Sequence, residues 1–364
     1  MGPVVKALYM ATLMVPFFVQ VPTAWAEYPA PFKINNARAE LGKRLFFDRR
    51  LSGDATLACS DCHIPKHGFS DARPLARAYT GMDGFRNAPT LINSAYRAAW
   101  FHDGRIGTNL NDVTREMITE SWTMNMDMRL MQERVKQDPL YVTMFQAAGL
   151  GEPSNGGVRK AIPEYLKTLI SKPAPVDQGT LSPAAQRGQA LFQGKAGCQQ
   201  CHSGPRYSDD QPHNLGVPEN PSIFNTVKRH VTYVTFAKFM GVANPMGLRR
   251  DIGAHVRTHR ADQRDMGSFM TPTLRALVYT APYMHNGTLP TLEAVVAFYN
   301  AGGGVDPHKD PRLKPLGLTQ TEQKDLVAFL KALSGPPLTG EAYVWDKPFP
   351  VEYEAIENWQ EVEN

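Results

Sequence analysis

Two short segments carry the most chemistry. Cys59-Ser60-Asp61-Cys62-His63 and Cys198-Gln199-Gln200-Cys201-His202 share one pattern: two cysteines two residues apart, followed at once by histidine. That spacing suits covalent attachment of a haem. Two thiols add across the two vinyl groups of one porphyrin, and the adjacent histidine supplies the proximal nitrogen to its iron. A bare C-x-x-C would also suit zinc or thiol redox chemistry, but zinc needs further ligands at comparable spacing and none flank these pairs. All four cysteines of the chain are consumed, so none remains for a disulfide. The pattern therefore predicts two c-type haems, tethered by Cys59, Cys62, Cys198 and Cys201, with His63 and His202 as iron ligands.

The elements that position these groups repeat along the chain. Gly42-Lys43-Arg44-Leu45-Phe46 precedes the first motif and Gly188-Gln189-Ala190-Leu191-Phe192 the second. Each reads as a helical G-x-x-L-F whose apolar residues pack on a haem face. Pro89-Thr90-Leu91 and then His102-Asp103-Gly104 follow the first motif; Pro272-Thr273-Leu274 and then His285-Asn286-Gly287 follow the second, at the same offset. The repeat predicts an all-α fold of two cytochrome c-like helical domains, each around one haem, with long loops. The predicted bounds are 27–175 and 176–340. Pro153-Ser154-Asn155-Gly156-Gly157 reads as a turn-rich break before a short helix around Ile162–Ile170. Ser182 is a candidate N-cap, with Pro183 at the first helical position. Residues 203–268, rich in Gly, Pro, Asn and Asp, read as a long loop over the second haem.

The rest of the chain bounds the setting. It has 364 residues and a formal charge of +4, which argues against nucleic-acid binding. Residues 1–26, with Lys6, an apolar run from Ala7 to Val21 and then Ala24-Trp25-Ala26, read as a secretory signal peptide cleaved near Ala26. The run is short for a membrane span and is interrupted by Pro16 and Pro22. The expected location is the periplasm, with no span in the mature chain. Arg249, Arg250, Arg257, Arg260 and Arg264 read as a solvated basic loop, and 341–364 as an acidic surface tail.

Further motifs carry a family likeness from about residue 38 to about residue 335. They are Leu51-Ser52, Phe69-Ser70-Asp71, Arg86-Asn87-Ala88-Pro89-Thr90-Leu91, Asp103-Gly104-Arg105, Phe269-Met270-Thr271-Pro272-Thr273-Leu274-Arg275 and Ala281-Pro282-Tyr283-Met284-His285-Asn286-Gly287. The chain resembles the bacterial dihaem cytochrome c peroxidases and, within them, the MauG branch. Ala297-Phe298-Tyr299-Asn300 holds the most informative position. Ordinary members place a methionine there as sixth ligand of the second haem; MauG-like members place a tyrosine, and this chain has Tyr299. A phenolate oxygen favours ferric and higher states, whereas a thioether favours ferrous iron. The resemblance also implies a calcium ion between the haems, held by the Asn87 side chain and the backbone carbonyls of Thr280 and Pro282.

The chain departs from the family at the first haem, whose open face should meet hydrogen peroxide. The family's distal glutamate and glutamine align with Thr123 and Val113 on an expected lid helix, Leu110–Met124. Glu120 and Glu116, one helical turn apart, are the candidate replacements, with Glu116 also readable as a solvated residue and His67 as a weaker choice. Met117 lies as far past Leu110 as Tyr299 lies past Leu292, so it either roofs the first iron or ligates it. The tryptophan that bridges the haems in the family is replaced by His102, with Trp100 two residues earlier. The branch's tryptophan before the second motif is Ala196 here, so holes bound for a protein must leave elsewhere, with Trp122, Trp345 and Trp359 as possible stations.

The resemblance implies that hydrogen peroxide brings the dihaem unit to a high-valent state, which then oxidises an aromatic residue, a tryptophan, of a periplasmic partner protein. Residues 119–131 look most like the MauG-like enzymes found beside methanobactin and copper-protein genes. The alternatives are a peroxidase that detoxifies hydrogen peroxide with electrons from a small redox donor, and a plain dihaem electron carrier.

Overall fold

The structure is a computed structural model and describes residues 32–338. The signal-peptide segment, Trp345, Trp359 and the acidic tail lie outside the described residues. The N-terminal half carries α1 (Asn36–Phe46), α2 (Cys59–Cys62), α3 (Leu110–Thr119), α4 (Met128–Lys136), α5 (Pro139–Ala147) and α6 (Asn155–Leu166). The C-terminal half carries α7 (Pro183–Gln193), α8 (Pro221–Asn225), α9 (Val227–Phe239), α10 (His255–Thr258), α11 (Leu292–Asn300) and α12 (Gln320–Lys331). The only strands among the described residues are β1 (Pro212–His213) and β2 (Phe269–Met270), an antiparallel pair. The fold is all-α, as the repeat predicted.

The repeated glycines set how each half closes. In the first half α1 packs on α6, and in the second α7 packs on α12. A Cβ on Gly42 would lie 2.0 Å from the Ala161 carbonyl oxygen, and one on Gly188 2.0 Å from that of Asp325. Only glycine lets these backbones approach so closely. Around the first crossing Leu41, Leu45, Phe46, Ala161, Ile162 and Tyr165 form part of one buried core; Phe192, Leu326, Phe329 and Leu330 belong to a second. Gly42→Ala is expected to cost about 1–3 kcal/mol by overpacking. It should lower the urea midpoint with little change in slope.

Ser182 caps α7 as expected, accepting from the Ala185 N–H, with Pro183 at the first turn. Three sequence expectations give way. The break at 153–157 is a helix start: Ser154 accepts from the Gly157 N–H, and α6 runs from Asn155 rather than Ile162. The two glycines suggested a turn, but the cap and the burial of Val158, Ala161 and Ile162 outweigh their propensity cost.

The expected helix Leu110–Met124 stops at Thr119, and the chain turns back. The Met126 N–H then donates to the Ile118 carbonyl and the Gly53 N–H to that of Met124, burying both methionines. Residues 203–268 are not loop throughout, since they contain α8, α9 and α10. Ile223, Tyr233, Phe236, Ile252 and Val256 join Leu75, Phe85 and Trp122 in a third core that ties the two halves together. That helix was hidden because its buried residues, Thr232 to Ala237, run almost continuously instead of at helical spacing.

Candidate functional site

The two Cys-His motifs sit in matching surroundings. His63 Nδ1 lies 3.0 Å from the Phe69 carbonyl oxygen, and His202 Nδ1 lies 2.9 Å from that of Tyr207. Both acceptor residues have left-handed backbones, φ 57° and 55°. A ring N–H donated to a carbonyl fixes the tautomer and leaves Nε2 as the ligating nitrogen. Burial pushes His63 down to about 4 and lowers His202, so both rings are neutral, as iron ligation requires. Burial likewise pushes the Cys59, Cys62 and Cys198 thiols up to about 12. Such thiols are poor thiolate ligands and suit thioether linkage to a porphyrin. Cys201, Asp209 and His213 are the one cluster of metal-capable side chains among the described residues. It includes Cys201 of the second Cys-x-x-Cys-His motif, the sulfur expected to tether a haem, so it offers no separate metal centre.

A large cavity beside His202 is lined by Cys198, Cys201, Phe192, Ala196 and Tyr299. α11 carries Tyr299 into it, started by Thr291, whose side chain accepts from the Ala294 N–H. Burial raises the phenol's pKa, and its hydroxyl has no hydrogen-bond partner among the described residues. The counterpart of α11 in the first half is α3, capped by Asn109 one residue before Leu110. Met117, at the position matching Tyr299, is half-buried on it.

The same cavity extends between the halves, where the repeated loops meet. Trp100 pairs with Ile106 as Tyr283 pairs with Leu289, and Phe101 and Met284 both have positive φ, so the loops bearing His102 and His285 are built alike. Asn87 joins them: its carbonyl lies 2.9 Å from His102 Nε2, and its N–H donates to the His285 carbonyl at 2.7 Å. Burial, helped by Arg86, pushes His102 down to about 4, and burial pushes His285 down to about 3. The Asn87 Oδ1 atom and the carbonyls of Thr280 and Pro282 accept no hydrogen bond from a described residue, and all three residues line this cavity. Trp100 is buried nearby with its indole N–H unpaired.

Behind the loops runs a chain of buried charges that no spacing in the chain marks. Arg86 donates to Asp103 at 2.5 Å and to Asp251 at 2.6 Å, Arg105 donates to Asp103 at 2.9 Å, and Arg105 Nε donates to Glu116 at 2.6 Å. Glu116 is therefore buried and ion-paired, not solvated. Glu120 is half-buried at the end of α3, and burial followed by the neighbouring Glu116 raises its pKa. Thr123 lies beyond the helix end, and Val113 is buried in the first core. Each arginine of the basic run has a partner: Arg250 pairs with Asp306, Arg260 and Arg264 with Asp262, Arg257 donates to the Asp103 carbonyl, and Arg249 to those of Met246 and Leu248.

Glu219, in the segment read as loop, was missed. Its Oε1 accepts from the Asp251 N–H at 3.2 Å, its buried Oε2 has no partner, and burial followed by Asp251 pushes it up to about 7. It lines the same cavity as His102 and His285. No spacing signal could have found it. Among the described residues no helix is long and apolar enough to cross a membrane.

Comparison with known proteins adds a consistent picture. The profile of the di-haem cytochrome c peroxidases matches residues 36–182. The chain is 48% identical over 314 residues to the cytochrome-c peroxidase IdrP2 of Denitromonas iodatirespirans, with 84% of each chain covered. It is 34% identical over 318 residues to the methylamine utilization protein MauG of Methylorubrum extorquens, covering 85% of this chain and 82% of that one. A solved MauG-like protein associated with microbial copper homeostasis superposes with TM-score 0.70 at 26% identity, over 89% of this chain and 96% of that one.

Proposed function

The chain belongs to the dihaem cytochrome c peroxidase/MauG family, and on that footing we propose that it uses hydrogen peroxide to oxidise an aromatic side chain, a tryptophan, of an exported partner protein. His63 and His202 would hold the two irons, with Cys59, Cys62, Cys198 and Cys201 tethering the porphyrins. The haems supply the electron-transfer chemistry with peroxide. Tyr299 carries the reading, because its unpartnered phenol lines the cavity of His202 and offers a hard oxygen donor that favours oxidised iron. Asn87, Thr280 and Pro282 offer three unpaired oxygens for a calcium ion between the halves. Met117 is assigned the roof of the first site.

Reducing one peroxide to two waters takes two electrons and two protons. Glu120 is assigned the proton transfer. Its pKa is raised by burial and by Glu116, so it holds a proton more readily than an exposed carboxyl. Glu116 is instead committed to Arg105 and acts as a positioning residue for α3. His102, neutral and hydrogen-bonded to the Asn87 carbonyl, and Trp100 are assigned the path between the two sites. A second reading, favoured by the 48% identity to a protein named cytochrome-c peroxidase, draws both electrons from a small cytochrome instead.

The test is to add one equivalent of hydrogen peroxide to the fully ferric holoenzyme without any donor. The expected resting spectrum is one high-spin and one low-spin haem, followed by a long-lived oxidised state. Glu120→Gln should form that state about 10²-fold more slowly. A requirement for prior half-reduction would favour the cytochrome-fed reading. Two low-spin haems that ignore peroxide would overturn both.

A further inference from the structure

A line of rings leads from the space between the haem motifs to the surface. Phe239, at the end of α9, is 58% exposed, and its ring centroid lies 5.4 Å from that of Trp122. Trp122 is only 8% exposed and lies 5.7 Å from Phe236. The Arg105 guanidinium sits 5.1 Å from the Phe236 centroid and 3.7 Å from that of Phe101, the residue before His102. Arg86, 5.2 Å from Phe236, also lies 5.5 Å from Phe269, whose ring stacks on His285 at 3.5 Å. Electron tunnelling falls off steeply with distance, so a packed line of groups with no gap is the favoured track. Of its members only the indole of Trp122 is readily oxidised; phenyl rings and guanidinium ions are not.

We propose that Trp122 is a redox station through which electrons from a protein donor, docked over Phe239, enter the enzyme. This rests on the reading that peroxide is reduced in the dihaem unit. Hydrogen peroxide is the oxidant. Trp122 gives up one electron inward, and its indole proton passes to water, because no described residue accepts a hydrogen bond from it. The donor then returns one electron, and a proton from solvent restores the N–H. Two such cycles supply the two electrons that convert one peroxide to two waters. The entry surface suits a donor with an acidic rim: exposed Met246 lies in a segment packed against α9, Lys238 precedes Phe239, and Arg249 follows three residues after Met246, both cations exposed.

The test uses holoenzyme containing ring-deuterated tryptophan, mixed with one equivalent of peroxide and freeze-quenched for electron paramagnetic resonance. The wild type should give a radical with deuterium-narrowed lines. Trp122→Phe, which keeps a ring in the cluster but is not oxidisable, should lose it. Its steady-state oxidation of ferrocyanide, an anionic donor attracted to the cations around Phe239, should fall about tenfold or more, while its first reaction with peroxide stays within about twofold. Trp122→Tyr should recover most of the ferrocyanide rate and show a tyrosyl radical instead. That variant decides the matter should Trp122→Phe not load both haems. An unchanged indole radical in Trp122→Tyr, or wild-type ferrocyanide turnover in Trp122→Phe, would overturn the proposal. Failure of the wild type to react with peroxide at all would overturn the underlying function instead, and it is visible before any donor is added.

Discussion

Tyr299→Met is expected to raise the reduction potential of the C-terminal haem by on the order of 0.2 V, since axial ligands tune haem potentials over a wide range. The phenol stands in the His202 cavity, and burial with the neighbouring Cys198 and Cys201 favours its neutral form. Ligation to a haem iron would therefore require loss of the phenol proton, and the phenolate oxygen would favour the oxidised metal over the reduced one. A methionine thioether reverses that preference. The variant should also lose the donor-free reactivity with peroxide and should need prior half-reduction to turn over. Potentiometric titration of both haems measures the shift directly. An unaltered C-terminal potential would mean that another group occupies the sixth position, and the argument from Tyr299 would fail with it.

The second large effect concerns stability. Arg86→Met should destabilise the fold by about 3–5 kcal/mol, because it leaves the buried Asp251 carboxylate without its arginine and Asp103 with Arg105 alone. Asp103 and Asp251 are both fully buried, and Arg86 binds each of them. Burial alone would raise their pKa values, but Arg105 and Arg86 at Asp103, and Arg86 at Asp251, outweigh it and hold both low. Carboxylates depressed in the folded state contribute stability that is present above their unfolded pKa, near 3.9, and lost as pH falls through the folded value. Without Arg86 the Asp251 carboxyl should titrate upward instead, so the variant should recover part of its lost stability between pH 7 and pH 5, a window in which the wild-type contribution of these carboxylates stays level. Urea denaturation at pH 5 and pH 7 reads the difference. A variant with the wild-type midpoint at pH 7 would show that the network contributes no net stability.

The network also bears on the site. It ties Glu116 of α3 through Arg105, Asp103 and Arg86 to Asp251, in the segment that carries α9 and α10. Helix α3 and the third core are thus held by one set of charges, and Trp122 is part of that core. Loosening Arg86 should therefore disturb the entry route as well as the fold.

What was legible in the sequence was local. The Cys-x-x-Cys-His spacing carries its chemistry within five residues. The G-x-x-L-F repeat carried its helices, and Ser182 with Pro183 announced α7, because caps and helix periods involve residues a turn apart. What only the tertiary structure decided involved distant partners. Glu116 meets Arg105, Arg86 meets Asp251, and α9 finds its apolar surface on Phe85 and Trp122 of the other half. The end of α3 at Thr119 likewise depended on burying Met124 and Met126. Short-range spacing dictates backbone geometry through hydrogen bonds and sterics, so it can be read from the chain. Pairings across many residues are selected by shape and desolvation once the halves pack, and one linear sequence carries no period that marks them.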